Sequence, residues 1–120
     1  MALAVQAQQK ATASQVKKWV KEDSALSLRI RALQARAQGE DGNLYREDTV
    51  LRNAQYEMRL AEMRKIQHKD STKIPGLQQK IAALTLHKAA TQQRFDRLLI
   101  LIDSTMGVRN EVERRIKAKQ

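Results

Sequence analysis

The groups in this 120-residue chain that could do acid–base or metal chemistry are two histidines and thirteen carboxylates. His68 and His87 lie nineteen residues apart, and neither has an acid or a second histidine three or four residues away. Two ligands on a helix reach one metal ion only at such a spacing. Both histidines therefore read as surface or helix-end residues. The carboxylates are scattered and mostly matched by bases: Asp48 has Arg52 four residues on, and Glu62 has Arg64 and Lys65 beside it. Such pairs mark solvated helix faces. There is no cysteine, so no thiolate nucleophile, thiolate metal site or disulfide. No glycine-rich phosphate loop, no nucleophile elbow and no paired-acid motif occurs. The expectation is a non-enzymatic protein with no catalytic residue, no cofactor, no metal and no small-molecule substrate.

What remains is architecture and charge. Four glycines and one proline cannot punctuate a sandwich or barrel. Ala, Leu, Gln, Lys, Arg and Glu dominate, and these are good helix formers. Aromatic residues make up 3%. A core so poor in rings is thin, and long helices packed on each other or on partner chains suit it.

Two clusters interrupt the helical pattern. Gln38-Gly39-Glu40-Asp41-Gly42-Asn43 reads as a turn, with Gly39 as the left-handed residue after a helix. The second cluster spans 69–76, where Pro75 fits the first turn of a new helix. The sequence thus predicts an all-α fold in one domain, 1–120. It is an elongated three-helix antiparallel coiled-coil bundle with a very long third helix. The helices cover about 3–37, 44–68 and 75–117, with turns at 38–43 and 69–76.

The first segment carries Val16, Trp19, Leu26, Ile30, Leu33 and Ala37 at heptad spacing, with Asp23 at the polar position among them. Asp23-Ser24 could instead cap a fresh helix. The second carries Leu44, Leu51 and Met58 every seven residues, with Ala54 and Ala61 interleaved. Tyr56, Leu60, Met63 and Ile66 form another stripe there, which implies contact with a second neighbouring helix. On this reading Glu47 and Asp48 sit in a first helical turn and complement its dipole.

The third segment is the clearest. Alternating steps of four and three from Leu77 give Ile81, Leu84, Lys88, Thr91, Phe95, Leu98, Ile102, Thr105, Arg109, Val112 and Ile116. Eight of these twelve positions are apolar, which specifies a seam. Leu98-Leu99-Ile100-Leu101-Ile102 is apolar all round the helix, so it belongs in a bundle centre or an oligomer interface. A helix break near Gly107 is left open. Trp19, Leu84, Phe95, Leu98, Ile102, Val112 and Ile116 are the expected interface residues.

The net charge is +10, spread as +4 over residues 1–40, +2 over 41–80 and +4 over 81–120. Lys17, Lys18 and Lys21, with Lys10 upstream, form one basic cluster. Arg114, Arg115, Lys117 and Lys119 form another, with Arg109 nearby. These are the candidate contacts to nucleic acid or an acidic partner. Leu44-Tyr45-Arg46 resembles the tripeptide of mitochondrial LYR-motif proteins. That resemblance implies a basic three-helix bundle binding acyl carrier protein. The tripeptide covers three residues and follows a predicted turn instead of opening the first helix, so no family is identified from it. The basic helical pattern is also similar in style to coiled-coil stalk proteins of bacterial secretion systems, with no motif to anchor it.

The expected function is that of a structural, scaffold or adaptor subunit of a macromolecular assembly, such as a virion or secretion machine. Its expected partners are copies of itself or a larger protein assembly. The alternative is sequence-nonspecific nucleic-acid binding through basic helix ends. No apolar run approaches a membrane span, and the opening apolar stretch is too short for a signal peptide. A cytoplasmic location, or an assembly built in the cytoplasm, is expected.

Overall fold

In the computed structural model of the chain, residues 2–119 are described, with the side chains of 13–119. Among the described residues there are two helices, not three: α1 (Ala2–His68) and α2 (Ile74–Lys119). The three-helix bundle is thereby corrected to two helices, while the all-α class holds. The expected turn at 38–43 is uninterrupted helix, and Asp23-Ser24 starts nothing new.

The reason lies in the phase of the apolar pattern. A stripe of less exposed positions in α1 runs Val16, Trp19, Asp23, Leu26, Ile30, Leu33, Ala37, Glu40, Leu44, Glu47, Leu51, Ala54, Met58 and Ala61, with Ser27, Gly42, Asn43 and Asp48 half-buried along its edge. Steps of three and four alternate without a slip through Gly39 and Gly42. One continuous helix keeps this stripe on a single side. Each mid-helix glycine costs about 1 kcal/mol relative to Ala. A turn at that point would have had to re-establish the phase by chance. No glycine has a positive φ, so neither Gly39 nor Gly42 uses the conformational freedom that marks a turn.

The chain reverses at residues 69–73. Lys69 takes the left-handed conformation (φ 54°) that ends a helix. Asp70 N–H donates to the Arg64 carbonyl at 3.4 Å. The Asp70 carboxylate then accepts from Thr72 N–H at 3.1 Å and from Thr72 Oγ1 at 2.7 Å. Asp and Asn favour turns by this local bonding. Pro75 is the second residue of α2, where its missing N–H leaves nothing unsatisfied.

The packing divides into two compact units. One comprises Ala37–Arg97, and the other joins α1 up to Arg36 with α2 from Leu98 onward. The first is a helical hairpin that buries Ala37, Leu51, Ala54, Ala61 and Thr91, with Leu44, Met58, Leu77, Ile81, Leu84 and Phe95 half-buried. The second buries Ile30, Leu33, Leu98, Ile102, Thr105 and Val112, flanked by half-buried Val16, Trp19, Leu26 and Ile116. Each fully buried Leu, Ile or Val contributes about 1.5–3 kcal/mol.

All twelve seam positions read along α2, from Leu77 to Ile116, are covered to some degree, while Gly107 lies on the exposed side of unbroken helix. The second stripe of the middle segment fares differently. Tyr56, Leu60, Met63 and Ile66 are exposed, because no third helix among the described residues covers them.

Candidate interaction surfaces

In the hairpin unit, polar side chains occupy the seam and cross-link the helices. Thr91 is 0% exposed. Its hydroxyl lies 2.9 Å from Glu47 Oε1, to which it donates, and accepts from Arg94 Nη2 at 2.8 Å. His87 Nε2 lies 3.1 Å from the same Glu47 oxygen, and Arg94 Nε lies 3.5 Å from Glu40 Oε2. Lys88 Nζ donates to Asp48 Oδ1 at 2.7 Å, and Arg52 Nε reaches Asp48 Oδ2 at 2.9 Å. The Asp48–Arg52 pair thus forms as the spacing predicts. Asp48 is held below the ordinary carboxylate range by the Lys88 hydrogen bond first. Burial opposes this, and the Arg52 and Lys88 charges reinforce it.

These contacts set the hairpin's direction and register: Glu40 meets Arg94, Glu47 meets Thr91, and Asp48 meets Lys88, ascending on α1 and descending on α2. Glu40 Oε2 and Glu47 Oε2 are buried without a hydrogen bond. The reading of Glu47 and Asp48 as first-turn residues is corrected with the turn itself, since they sit within α1 and face α2. Sequence reasoning missed Glu40 and Glu47 as seam positions. The signal was present, because Glu40 lies three residues after Ala37 and Glu47 three after Leu44, in phase with the stripe.

At the reversal, Glu57, Leu60, Arg64, Lys73, Leu77 and Lys80 border an open cleft of about 380 Å³. Asp70, beside it, is held below its ordinary pKa mainly by the Thr72 hydroxyl. The Thr72 N–H adds to this, burial opposes it, and the Arg64 and Lys73 charges assist.

In the other unit, the run at 98–102 divides between core and surface. Leu98 and Ile102 are buried, whereas Leu99, Ile100 and Leu101 are 43%, 65% and 42% exposed. Successive helical residues point about 100° apart, so these three leave α2 on three different sides. Leu28, Met106 and Val108 add further exposed apolar side chains. Of the expected interface residues, Leu98, Ile102 and Val112 are buried in the chain's own core, and Trp19, Leu84, Phe95 and Ile116 are half-buried in its seam.

The same unit brings the two basic clusters together. Arg109 Nε lies 3.3 Å from Asp23 Oδ1, and Arg109 Nη2 lies 3.2 Å from Glu113 Oε1. Seven residues before Asp23 stands Val16, and seven after Arg109 stands Ile116, both half-buried. Lys17, Lys18 and Lys21 therefore share one end of this unit with Arg114, Arg115, Lys117 and Lys119. Glu111 holds Arg114 at 3.1 Å and Arg115 at 3.7 Å. Lys10 lies outside the described side chains.

Among the described residues, no group of three or more His, Asp and Glu side chains could hold a metal ion, and no helix is long and apolar enough to cross a membrane. Compared with known proteins, the chain matches no family model, and no curated sequence or solved structure is significantly similar to it.

Proposed function

We propose that the chain is a non-enzymatic structural subunit of a helical assembly, in which further copies cover the apolar side chains that its two-helix units leave outside. The observation that carries this reading is the triplet Leu99, Ile100 and Leu101, exposed on three sides of one helix. One intrachain neighbour can cover one side only. Leu28, Met106 and Val108 are exposed in the same unit, so the apolar surface there is not confined to the triplet.

Absolute mass in solution tests it, by light scattering on a sizing column at low and high salt. The expected result is a protein-only multiple of 13.7 kDa at both salts, which Leu99→Gln, Ile100→Gln and Leu101→Gln together reduce to monomer with helix content retained. Those positions serve better than Leu98 and Ile102, whose replacement by polar residues would damage the chain's own core. A wild-type monomer at both salts overturns the reading.

A further inference from the structure

The basic end of the unit built from the start of α1 and the end of α2 has a composition of its own. Lys17, Lys18 and Lys21 on α1 and Arg114 and Lys117 on α2 stand at outward positions, away from the seam that runs through Val16, Trp19, Val112 and Ile116. Three of the four nearby acids are engaged, Asp23 and Glu113 with Arg109 and Glu111 with Arg114 and Arg115, while Glu22 is exposed beside Lys21 and is outnumbered by the lysines around it. Among the described residues, Lys17, Lys18, Lys21, Lys117 and Lys119 make no ion pair. Side chains more than ninety residues apart in sequence thus supply one exposed cationic surface.

We propose that this end of the unit binds the phosphate backbone of duplex nucleic acid, without reading its sequence. The chemistry of the patch selects that class of partner. Protein interfaces are anchored by buried aromatic, Met and Arg side chains and are depleted in Lys. Here Lys prevails, and Val20 is the sole large apolar side chain exposed among residues 13–24 and 109–119. Single strands are held by bases stacked on aromatic rings. The one ring at this end, Trp19, is half-buried in the seam. What is left is a set of flexible ammonium groups on outward helix positions, which suits regularly spaced phosphates and gives no means of distinguishing bases. This inference rests on the charged end alone and does not require the apolar faces to be covered.

The test is binding of the full chain to a short labelled DNA duplex of mixed sequence, read by fluorescence anisotropy across a salt series. With about five phosphates neutralised, affinity is expected to fall several-hundred-fold between about 50 mM and about 200 mM salt. Lys17→Gln, Lys18→Gln and Lys21→Gln together should reduce the salt slope by about three units, and Lys117→Gln with Lys119→Gln by about two. These exposed substitutions keep good helix formers in place, and circular dichroism verifies the fold. The control is Lys65→Gln with Lys69→Gln in the hairpin unit, which removes as much charge as the second variant and should leave binding unchanged. An equal loss in that control overturns the proposal, because binding would then follow net charge. A wild-type chain that does not bind overturns it, and so does polyglutamate competing as well as DNA per charge.

Discussion

Replacing Gly39 and Gly42 with alanine tests the continuity of α1, and the two architectures predict opposite signs. Both glycines have right-handed backbone, and a Cβ built on either meets nothing within 4 Å. Alanine therefore adds no clash and removes the unfolded-state freedom that makes glycine unfavourable in a helix. Each replacement should stabilise by about 1 kcal/mol. The new methyl groups share no partner, so the pair should approach additivity at about 2 kcal/mol. Urea unfolding followed by far-ultraviolet circular dichroism reads this directly. With a slope of 1–3 kcal/mol per molar, the midpoint should rise by about 1 M with the slope unchanged. Had the chain turned at Gly39 through a left-handed residue, Gly39→Ala would instead destabilise the protein. A lowered midpoint refutes the two-helix fold. Gly107→Ala, also in open space within α2, is the matched substitution in the other unit and should stabilise by about 1 kcal/mol.

The same logic inverts at Lys69, which holds a left-handed φ of 54° without being glycine. Lys69→Gly should raise the urea midpoint by relieving about 1 kcal/mol of backbone cost. Thr91→Val keeps the side-chain shape but withdraws the hydroxyl from Glu47 and Arg94. It should destabilise the hairpin by about 1–3 kcal/mol, whereas Thr91→Val combined with Glu47→Leu should recover the loss, since an apolar pair replaces a buried polar one. Asp48 predicts a pH dependence. Its folded pKa lies below the ordinary 3.8, so its stabilisation is present above that value and is lost as pH falls through the depressed one. Unfolding midpoints measured down the acid limb should show Asp48→Asn less stable than wild type near neutrality and less sensitive to acid.

Legibility in the sequence followed what each residue reports. The stripe from Leu77 to Ile116 was readable position by position, because heptad spacing is the direct imprint of packing against one neighbouring helix. The glycine cluster suggests a turn because Gly, Asp and Asn together favour one locally, but in the folded chain the phase of the stripe overrides that preference. Ala37, Leu44 and Leu51 are seven apart, and a break seldom preserves such a register. Local propensity amounts to about 1 kcal/mol per glycine, less than an interrupted seam would forfeit. The exposed Tyr56, Leu60, Met63 and Ile66 teach the complementary point. A stripe records an apolar face but does not name what covers it. The pairing of Glu47 with Thr91 and of Asp23 with Arg109 was not legible at all. Register between helices depends on the exact residue at which the chain reverses, and a turn expected over 69–76 does not single out the left-handed Lys69.

A heptad seam looks the same whether its partner helix belongs to the same chain or to another, and here charge sorts the two cases. The ionisable residues in the α1 seam are all acids: Asp23, Glu40 and Glu47. Those in the α2 seam are bases: Lys88 and Arg109. Pairing α1 with α1 of a second copy would bury acid beside acid, and α2 with α2 would bury base beside base. Both cost stability. In the hairpin unit, Glu40 and Glu47 meet Arg94, His87 and Thr91 within one chain. In the other unit, Asp23 meets Arg109. Each unit thus sets acid against base within its own seam, and a homotypic exchange of helices would break charged contacts without replacing them. The contacts between copies proposed above would then fall to the outer faces, and it is there that Leu99, Ile100 and Leu101 lie.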